Sequence, residues 1–189
     1  MSSTIIDGVD YGPLALLPGT WQGNVGMDVA PEPDGSAHNP YHESIVFEAI
    51  GDVTNAKKQT LAAVRYHQVV QRKSDDCVFH NETGYWLWDG AQGLVVQTLT
   101  IPRGVSLVAG GTYRIGDGGN PTVLEVHAAL DDADWTISQS PFMRDNARTL
   151  EFTHRVSIDE NTLTYSETTV VDIYDERFDH TDANSLTRS

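Results

Sequence analysis

Histidine is the residue type in this chain that can bind a metal or carry a proton near neutral pH. Two of the seven histidines have informative neighbours. His80 lies in the segment FHNETGYW, where a strand pattern breaks at a glycine and resumes with aromatic residues, as at the wall of a ligand cavity. His180 lies between Asp179 and Asp182, and a carboxylate commonly orients a metal-ligating imidazole. From these neighbours alone, the commoner interpretation is an ordinary hydrogen-bonded strand histidine at position 80 and an exposed histidine at position 180.

Other familiar chemistries have little support in the sequence. The single cysteine, Cys77, follows Asp75 and Asp76, whose negative charges disfavour a thiolate. The chain contains no Cys-x-x-Cys pair and no Gly-x-Ser-x-Gly elbow. The glycine-rich segment GDGGNP joins two strand patterns, so it predicts a hairpin turn rather than a phosphate-binding loop. We therefore expect neither a structural zinc site nor a cysteine nucleophile.

The composition limits the partners. The formal net charge of −15 argues against nucleic acid and against anionic membrane surfaces, since both require a basic patch. No segment resembles a signal peptide or a membrane span. A lone cysteine fits a reducing compartment, so we expect a cytoplasmic protein. A length of 189 residues predicts one domain over residues 1–189.

The elements that must position the histidines are strands. From Tyr41 onward, nine segments rich in Val, Ile, Thr, Tyr and Trp alternate with short turns, and a tenth surrounds Trp21. This pattern predicts an all-β fold of about ten antiparallel strands, closed as an up-and-down barrel like those of the lipocalins and fatty-acid-binding proteins. A short N-terminal helix precedes it in the segment DYGPLALLPG. Residues 24–40 predict a variable loop and residues 175–189 a C-terminal tail.

Strand alternation indicates which histidines face inward. In the segment TLEFTHRVSI, His154 shares a side with Phe152 and Val156, so we expect it on the apolar interior face. His127 shares a side with Glu125 and is expected outside. The interior is thus mostly apolar with a few polar points, as in a small-molecule cavity, although a filled barrel would show much the same pattern.

Several segments, taken in order, resemble the nitrobindins, which are haem-binding β-barrels related in fold to the fatty-acid-binding proteins. The segments are GPLALLPGTWQG, YHESIVFEAIG, LAAVRYHQVV, FHNETGYW and LTIPRGVSLVAGGTY, from about residue 11 to residue 113. The most specific are the Gly-x-Trp-x-Gly element, formed by Gly19, Trp21 and Gly23, and the His-x-Glu-Thr-Gly-Tyr element that begins at His80.

The resemblance implies a barrel that holds b-type haem at its mouth. It implies that His180 is the proximal iron ligand, with His154 as the fallback, and that His80 is the catalytic residue on the distal side. Phe79 and Ile101 are expected beside the cofactor. The family binds nitric oxide, and its ferric form isomerises peroxynitrite to nitrate.

The resemblance also implies a role for the Gly-x-Trp-x-Gly element. Trp21 is expected to close the end of the barrel that the helix caps, and Gly19 and Gly23 to let that helix pack against the first strand.

The chain departs from the family pattern in places. Val25 stands where the family has a glycine, the 24–40 segment replaces a stretch with a haem-contacting threonine, and Ile101 replaces a polar residue of the cavity.

Two other hypotheses therefore stand beside the haem protein. One is a carrier of a fatty acid or another small hydrophobic ligand, its head group held by a pair such as Arg65 and Tyr66 or Arg114 and Tyr113. The other is a structural module with a filled barrel. The expected partners are a small-molecule ligand and a second copy of the chain in a homodimer.

Overall fold

The computed structural model describes residues 3–117 and 119–189, and most of these residues lie in strands. Two short strands, β1 (Ile5–Ile6) and β2 (Val9–Asp10), pair with each other ahead of a 3-10 turn at Gly12–Leu14. The remaining strands are β3 (Gly19–Glu32), β4 (Gly35–Asn55), β5 (Gln59–Arg72), β6 (Val78–Asp89), β7 (Leu94–Ile101), β8 (Val105–Arg114), β9 (Thr122–Ala129), β10 (Ile137–Gln139), β11 (Ala147–Ile158), β12 (Thr162–Ile173) and β13 (Glu176–Arg188). A helix, α1 (Pro141–Asn146), separates β10 from β11.

Ten of the described strands form a closed antiparallel barrel, which confirms the predicted fold class. Each strand pairs with its neighbour in the chain from β3 to β9, and then from β9 through β11 and β12 to β13. The barrel closes where β13 pairs with β3, for example Thr187 with Gln22. The short strand β10 pairs with the part of β8 that β9 leaves free, with Ile137 opposite Leu107. Closure pairs the edges that an open sheet of this size would expose.

Two predicted irregular segments are strands. Residues 24–40 were expected to form a loop, but they lie in β3 and β4, which meet in a tight turn at 33–34. Residues 175–189 were expected to form a tail, but β13 covers most of them and pairs on both sides. Both predictions were wrong because register shifts between Gly23 and Gly26 and between Ala183 and Leu186 interrupt the alternation that marks a strand in sequence.

The helical content is small. The predicted N-terminal helix is a 3-10 turn of three buried residues, with Pro13 inside it. The other helix of the described residues, α1, has six residues, and neither it nor the turn is long and apolar enough to cross a membrane.

The end of the barrel next to the 3-10 turn is packed shut. Trp21 is fully buried, and its Nε1 donates a hydrogen bond to the backbone oxygen of Leu17 at 2.8 Å. The guanidinium carbon of Arg188, at the end of β13, lies 4.1 Å from the centroid of the Trp21 ring. Arg188 also donates hydrogen bonds to the backbone oxygens of Leu16, at 2.6 Å, of Pro18, and of Glu160, at 2.9 Å. One side chain of the last strand thus ties the first strand to the segment between the 3-10 turn and β3.

The glycines beside Trp21 make room for β13 rather than for the helix that was expected to pack there. A Cβ on Gly19, whose φ is +134°, would lie 2.5 Å from an Nη atom of Arg188. A Cβ on Gly23 would lie 2.7 Å from Nδ2 of Asn184 and 2.9 Å from Leu186. The Gly-x-Trp-x-Gly element therefore serves the seam at which the barrel closes.

We predict that Arg188→Ala lowers the free energy of unfolding by about 2–3 kcal/mol, because it removes a cation–π contact and charged hydrogen bonds to three carbonyl groups. Arg188→Lys should restore less than half of this loss, since an ammonium group lacks the planar fork that reaches all three carbonyls. Equilibrium urea unfolding measures the effect. The control is Arg177→Ala on the same strand, which removes an exposed ion pair with Glu151 and should cost no more than about 0.5 kcal/mol. Equal losses for the two alanine variants would contradict the assignment.

Candidate functional site

The open end of the barrel contains a cavity of about 750 Å³. This volume lies in the range of about 300–1,000 Å³ that is typical of small-molecule sites. Most of its wall is apolar, with lining side chains that include Val70, Leu99, Val105, Leu107, Met143, Phe152, Val171 and Ile173. Helix α1 lies at the rim, where Phe142 lines the cavity and is 71% exposed. The hypothesis of a structural module with a filled barrel is therefore wrong for this end of the molecule.

Four residues predicted to contact a cofactor line this cavity: His80, His180, Phe79 and Ile101. Phe79 and His80 lie on β6 next to each other, Ile101 ends β7, and His180 lies on β13. These strands come from distant parts of the chain, and the closed barrel brings them to one opening. The structure therefore brings all four residues to one cavity.

His180 is held by two carboxylates. Its Nε2 lies 2.6 Å from Oδ1 of Asp28 and 3.5 Å from Oδ2 of Asp182. Asp28 is only 2% exposed, and its other oxygen accepts a hydrogen bond from Nδ2 of Asn39 at 2.6 Å. Burial lowers the pKa of His180, but the hydrogen bond to Asp28 and the charge of Asp182 outweigh burial and raise the pKa above its ordinary value. The neighbouring carboxylates thus favour the imidazolium.

Asp28 and Asn39 were not predicted, because residues 24–40 were interpreted as a loop. Their strands lie side by side in register, with Asp28 directly opposite Asn39 on β4 and opposite Asp182 on β13. A single sequence carries no local signal for such pairings.

His80 has a similar environment at the same opening. Its Nε2 lies 3.5 Å from Oε2 of Glu82, a side chain that is 4% exposed. Burial lowers the pKa of His80, but the hydrogen bond and charge of Glu82 raise it above the ordinary value overall. Arg103 also lines the cavity and donates a hydrogen bond to the backbone oxygen of Phe79 at 2.9 Å. Arg103 therefore places a positive charge at the mouth, and Glu82 favours the imidazolium form of His80.

A chain of polar side chains continues from Glu82 into the barrel. Tyr66 donates a hydrogen bond to Oε1 of Glu82, and Nε2 of Gln97 donates to the Tyr66 hydroxyl at 3.0 Å. Oε1 of Gln97 lies 2.9 Å from Nδ1 of His154. These contacts give buried polar groups the partners that burial requires.

His154 faces the interior, as strand alternation predicted, but it is a poor alternative iron ligand. Its ring packs against the rings of Trp86, Phe152 and Tyr165. Its Nε2 is buried without a hydrogen-bond partner among the described residues, and burial lowers its pKa to about 4. The void beside it has a volume of only about 20 Å³, enough for about one water molecule and not for a porphyrin.

A second polar chain involves a buried carboxylate. The hydroxyls of Tyr41 and Tyr165 lie 2.7 Å apart, and Tyr165 donates a hydrogen bond to Oε2 of Glu43 at 2.7 Å. Glu43 is 4% exposed, and burial raises its pKa to about 7. Glu167, which lines the main cavity, has its pKa raised well above the ordinary value by burial and by the charge of Glu82. Burial thus favours the protonated form of Glu43 and of Glu167.

The residue pairs proposed for a fatty-acid head group lie elsewhere. The side chain of Arg65 is 55% exposed and forms an ion pair with Glu48, while Tyr66 donates to Glu82. Arg114 is exposed, and neither it nor Tyr113 is among the described residues that line the cavity.

His38 and His42 have the spacing of a helical metal site, but both lie on strand β4. Four residues of strand span about 13 Å, which is too far for one ion to bind both side chains. This pair therefore offers no metal site.

A closed ten-stranded barrel with an apolar cavity and two histidines at its mouth defines a small-molecule-binding β-barrel. The family described as the THAP4-like, heme-binding beta-barrel domain matches residues 10–188. The chain belongs to this family, which confirms the resemblance to the nitrobindins.

The crystal structure of Rv2717c from M. tuberculosis has the same fold. It is 25% identical in sequence and superposes with a TM-score of 0.67, covering 93% of this chain and 94% of that chain. A comparison with curated protein sequences gave no significant match.

The donor set at the mouth fits a haem group. The cavity offers apolar walls and, on His180, an imidazole, which is a common axial haem ligand. The fit carries one condition, because Nε2 of His180 is already engaged with Asp28. Coordination through Nε2 requires this hydrogen bond to be given up.

We predict that Glu43→Gln makes stability less dependent on pH. A carboxyl group whose pKa is raised from about 4.5 to about 7 contributes stability below pH 4.5, and this contribution is lost as the pH rises through 7. Relative to the wild type, the glutamine variant should gain on the order of 3 kcal/mol between pH 4.5 and pH 8, where the wild type must bury a charge.

Thermal or urea unfolding at a series of pH values measures this difference. The control is Glu48→Gln on the same strand, whose side chain is 50% exposed and which should leave the pH dependence unchanged. A wild-type profile parallel to that of Glu43→Gln would show that Glu43 titrates normally.

Proposed function

We propose that this protein binds b-type haem in the mouth cavity, with the imidazole of His180 as the axial ligand on the protein side. The observation that carries the proposal is the position of His180. It lies at the wall of an apolar cavity of about 750 Å³, and its imidazole is a common axial ligand of haem iron. Membership of a haem-binding family supports the same ligand class.

Haem binding through His180 requires that one proton leave the imidazole. A nitrogen that carries a proton has no lone pair for a metal, so Nε2 of His180 must lose its proton before it coordinates. Asp28 Oδ1, 2.6 Å away, is the nearest proton acceptor. The carboxylates that raise the pKa of His180 therefore oppose ligation at low pH, and we expect tighter haem binding as the pH rises.

We further propose that the loaded protein binds nitric oxide and isomerises peroxynitrite to nitrate. Ferric haem supplies a Lewis-acidic position that is open to small nitrogen oxides. His80 and Arg103 supply positive charge at the cavity for an anionic substrate, and Glu82 orients the His80 ring. Their charge offsets part of the repulsion from the carboxylates on the wall.

We predict that the protein reconstituted with hemin shows a Soret band, and that His180→Ala weakens hemin binding at least tenfold. In the proposed complex, the His180 imidazole is the one protein group bonded to iron, and the alanine variant lacks this bond. Absorbance titration measures the affinity. His127→Ala, on the exposed face of β9, is the matched control and should bind hemin as the wild type does. Equal affinities for the His180 variant and the control would refute the ligand assignment.

We predict that His80→Ala retains the Soret band but converts peroxynitrite to nitrate about tenfold more slowly or worse, since it loses a charge beside the substrate. Stopped-flow decay of peroxynitrite together with the nitrate yield measures this activity. His127→Ala again serves as the control. A rate equal to that of the wild type would exclude His80 from the reaction.

A further inference from the structure

We propose that Asp28, His180 and Asp182 bind a divalent transition-metal ion, such as Zn²⁺ or Co²⁺, when the protein carries no haem. Each of the three residues offers one ligand atom, and these atoms all lie within 4.8 Å of one another. The proposal goes beyond haem binding and does not rest on it, although both use His180.

The separations between the donors suit a single small ion. Nε2 of His180 lies 2.6 Å from Oδ1 of Asp28 and 3.5 Å from Oδ2 of Asp182. Metal–nitrogen and metal–oxygen bonds of about 2.0–2.2 Å place adjacent ligand atoms about 2.9–3.5 Å apart, in octahedral or tetrahedral geometry. Small side-chain shifts would therefore bring the three atoms around one ion.

The two aspartates occupy an arrangement that favours a cation between them. Asp28 on β3 and Asp182 on β13 lie directly opposite each other in the barrel. Like charges at such positions destabilise a strand pair. One of the two, Asp28, is almost completely buried, so water cannot screen it well. At present the imidazole of His180 is the nearest neutralising group, and a divalent ion would take the place of its proton.

The surroundings of these three residues have features that are typical of metal sites. Asn39 holds the second oxygen of Asp28 and thereby fixes the carboxylate, as groups beside a metal ligand commonly do. All three residues line the open cavity, which gives an ion a path from solvent.

The ligand types indicate the class of metal. One imidazole and two carboxylates suit Zn²⁺, Co²⁺, Fe²⁺, Ni²⁺ or Mn²⁺ rather than Cu⁺, which prefers sulfur, or Ca²⁺, which prefers six or more oxygens. Three protein ligands leave at least one coordination position facing the cavity, as in sites where a metal binds a further small molecule. In the haem-free protein, metal and hemin would compete for His180.

Titration of the haem-free, tag-free protein with Co²⁺ tests the proposal, with the visible absorbance of Co²⁺ as the signal and Zn²⁺ as the competitor. We expect one ion per chain, displaced by Zn²⁺. Asp182→Asn should weaken binding at least tenfold, and His180→Ala should abolish it. Asp179→Asn, an exposed aspartate on the same strand, removes the same charge and should bind as the wild type does.

Unfolding curves confirm that each variant is folded, and Asp28→Asn provides a second variant of unchanged size should Asp182→Asn be unstable. No Co²⁺ binding by the wild type would overturn the proposal. Binding that Asp182→Asn and Asp28→Asn leave unchanged would also overturn it, because the ion would then lie elsewhere. The titration contains no haem, so a failure of hemin to bind would count against the proposed function and leave this result intact.

Discussion

Closure of the ten-stranded sheet is the constraint on which the rest of the molecule depends. Once β13 pairs with β3, the barrel has a fixed width, and its side chains must either fill the interior or leave a cavity. They fill one end, where Trp21 is fully buried beneath Arg188. They leave the other end open, and closure brings His80 and His180 to the same opening although they are 100 residues apart in the chain.

The chemistry of the open end is governed by pairs of carboxylate and imidazole. Asp28 and Glu82 are almost fully buried, and each has a histidine as a neighbour. These pairs hold the rings in place and favour their protonated form, so any metal that binds there must displace a proton. The same pairs thus orient the imidazole rings toward a ligand. They also add a free-energy cost to metal binding, and this cost decreases as the pH rises because the proton leaves more easily. A neutral cavity lined only by apolar side chains would lack both properties.

Sequence patterns predicted the barrel and the inward position of His154, because alternation and turn residues are local properties of a strand. The motif resemblance predicted which histidines reach the mouth. The long β3–β4 hairpin could not be predicted, since prolines, glycines and bulges conceal its alternation. Asp28 was missed for that reason, and its pairing with Asp182 depends on barrel closure rather than on any nearby residue. The cytoplasmic location, the homodimer and the absence of nucleic-acid or membrane partners stay predictions.

The central claim is that the mouth cavity receives a porphyrin against His180. A crystal structure of the protein grown with hemin tests this claim most directly. The account predicts porphyrin density between Phe79, Ile101 and helix α1, with iron bonded to the imidazole of His180 and the Asp28 hydrogen bond to Nε2 broken. A porphyrin bound outside the barrel, or a cavity that excludes hemin while His180 keeps its bond to Asp28, would contradict it.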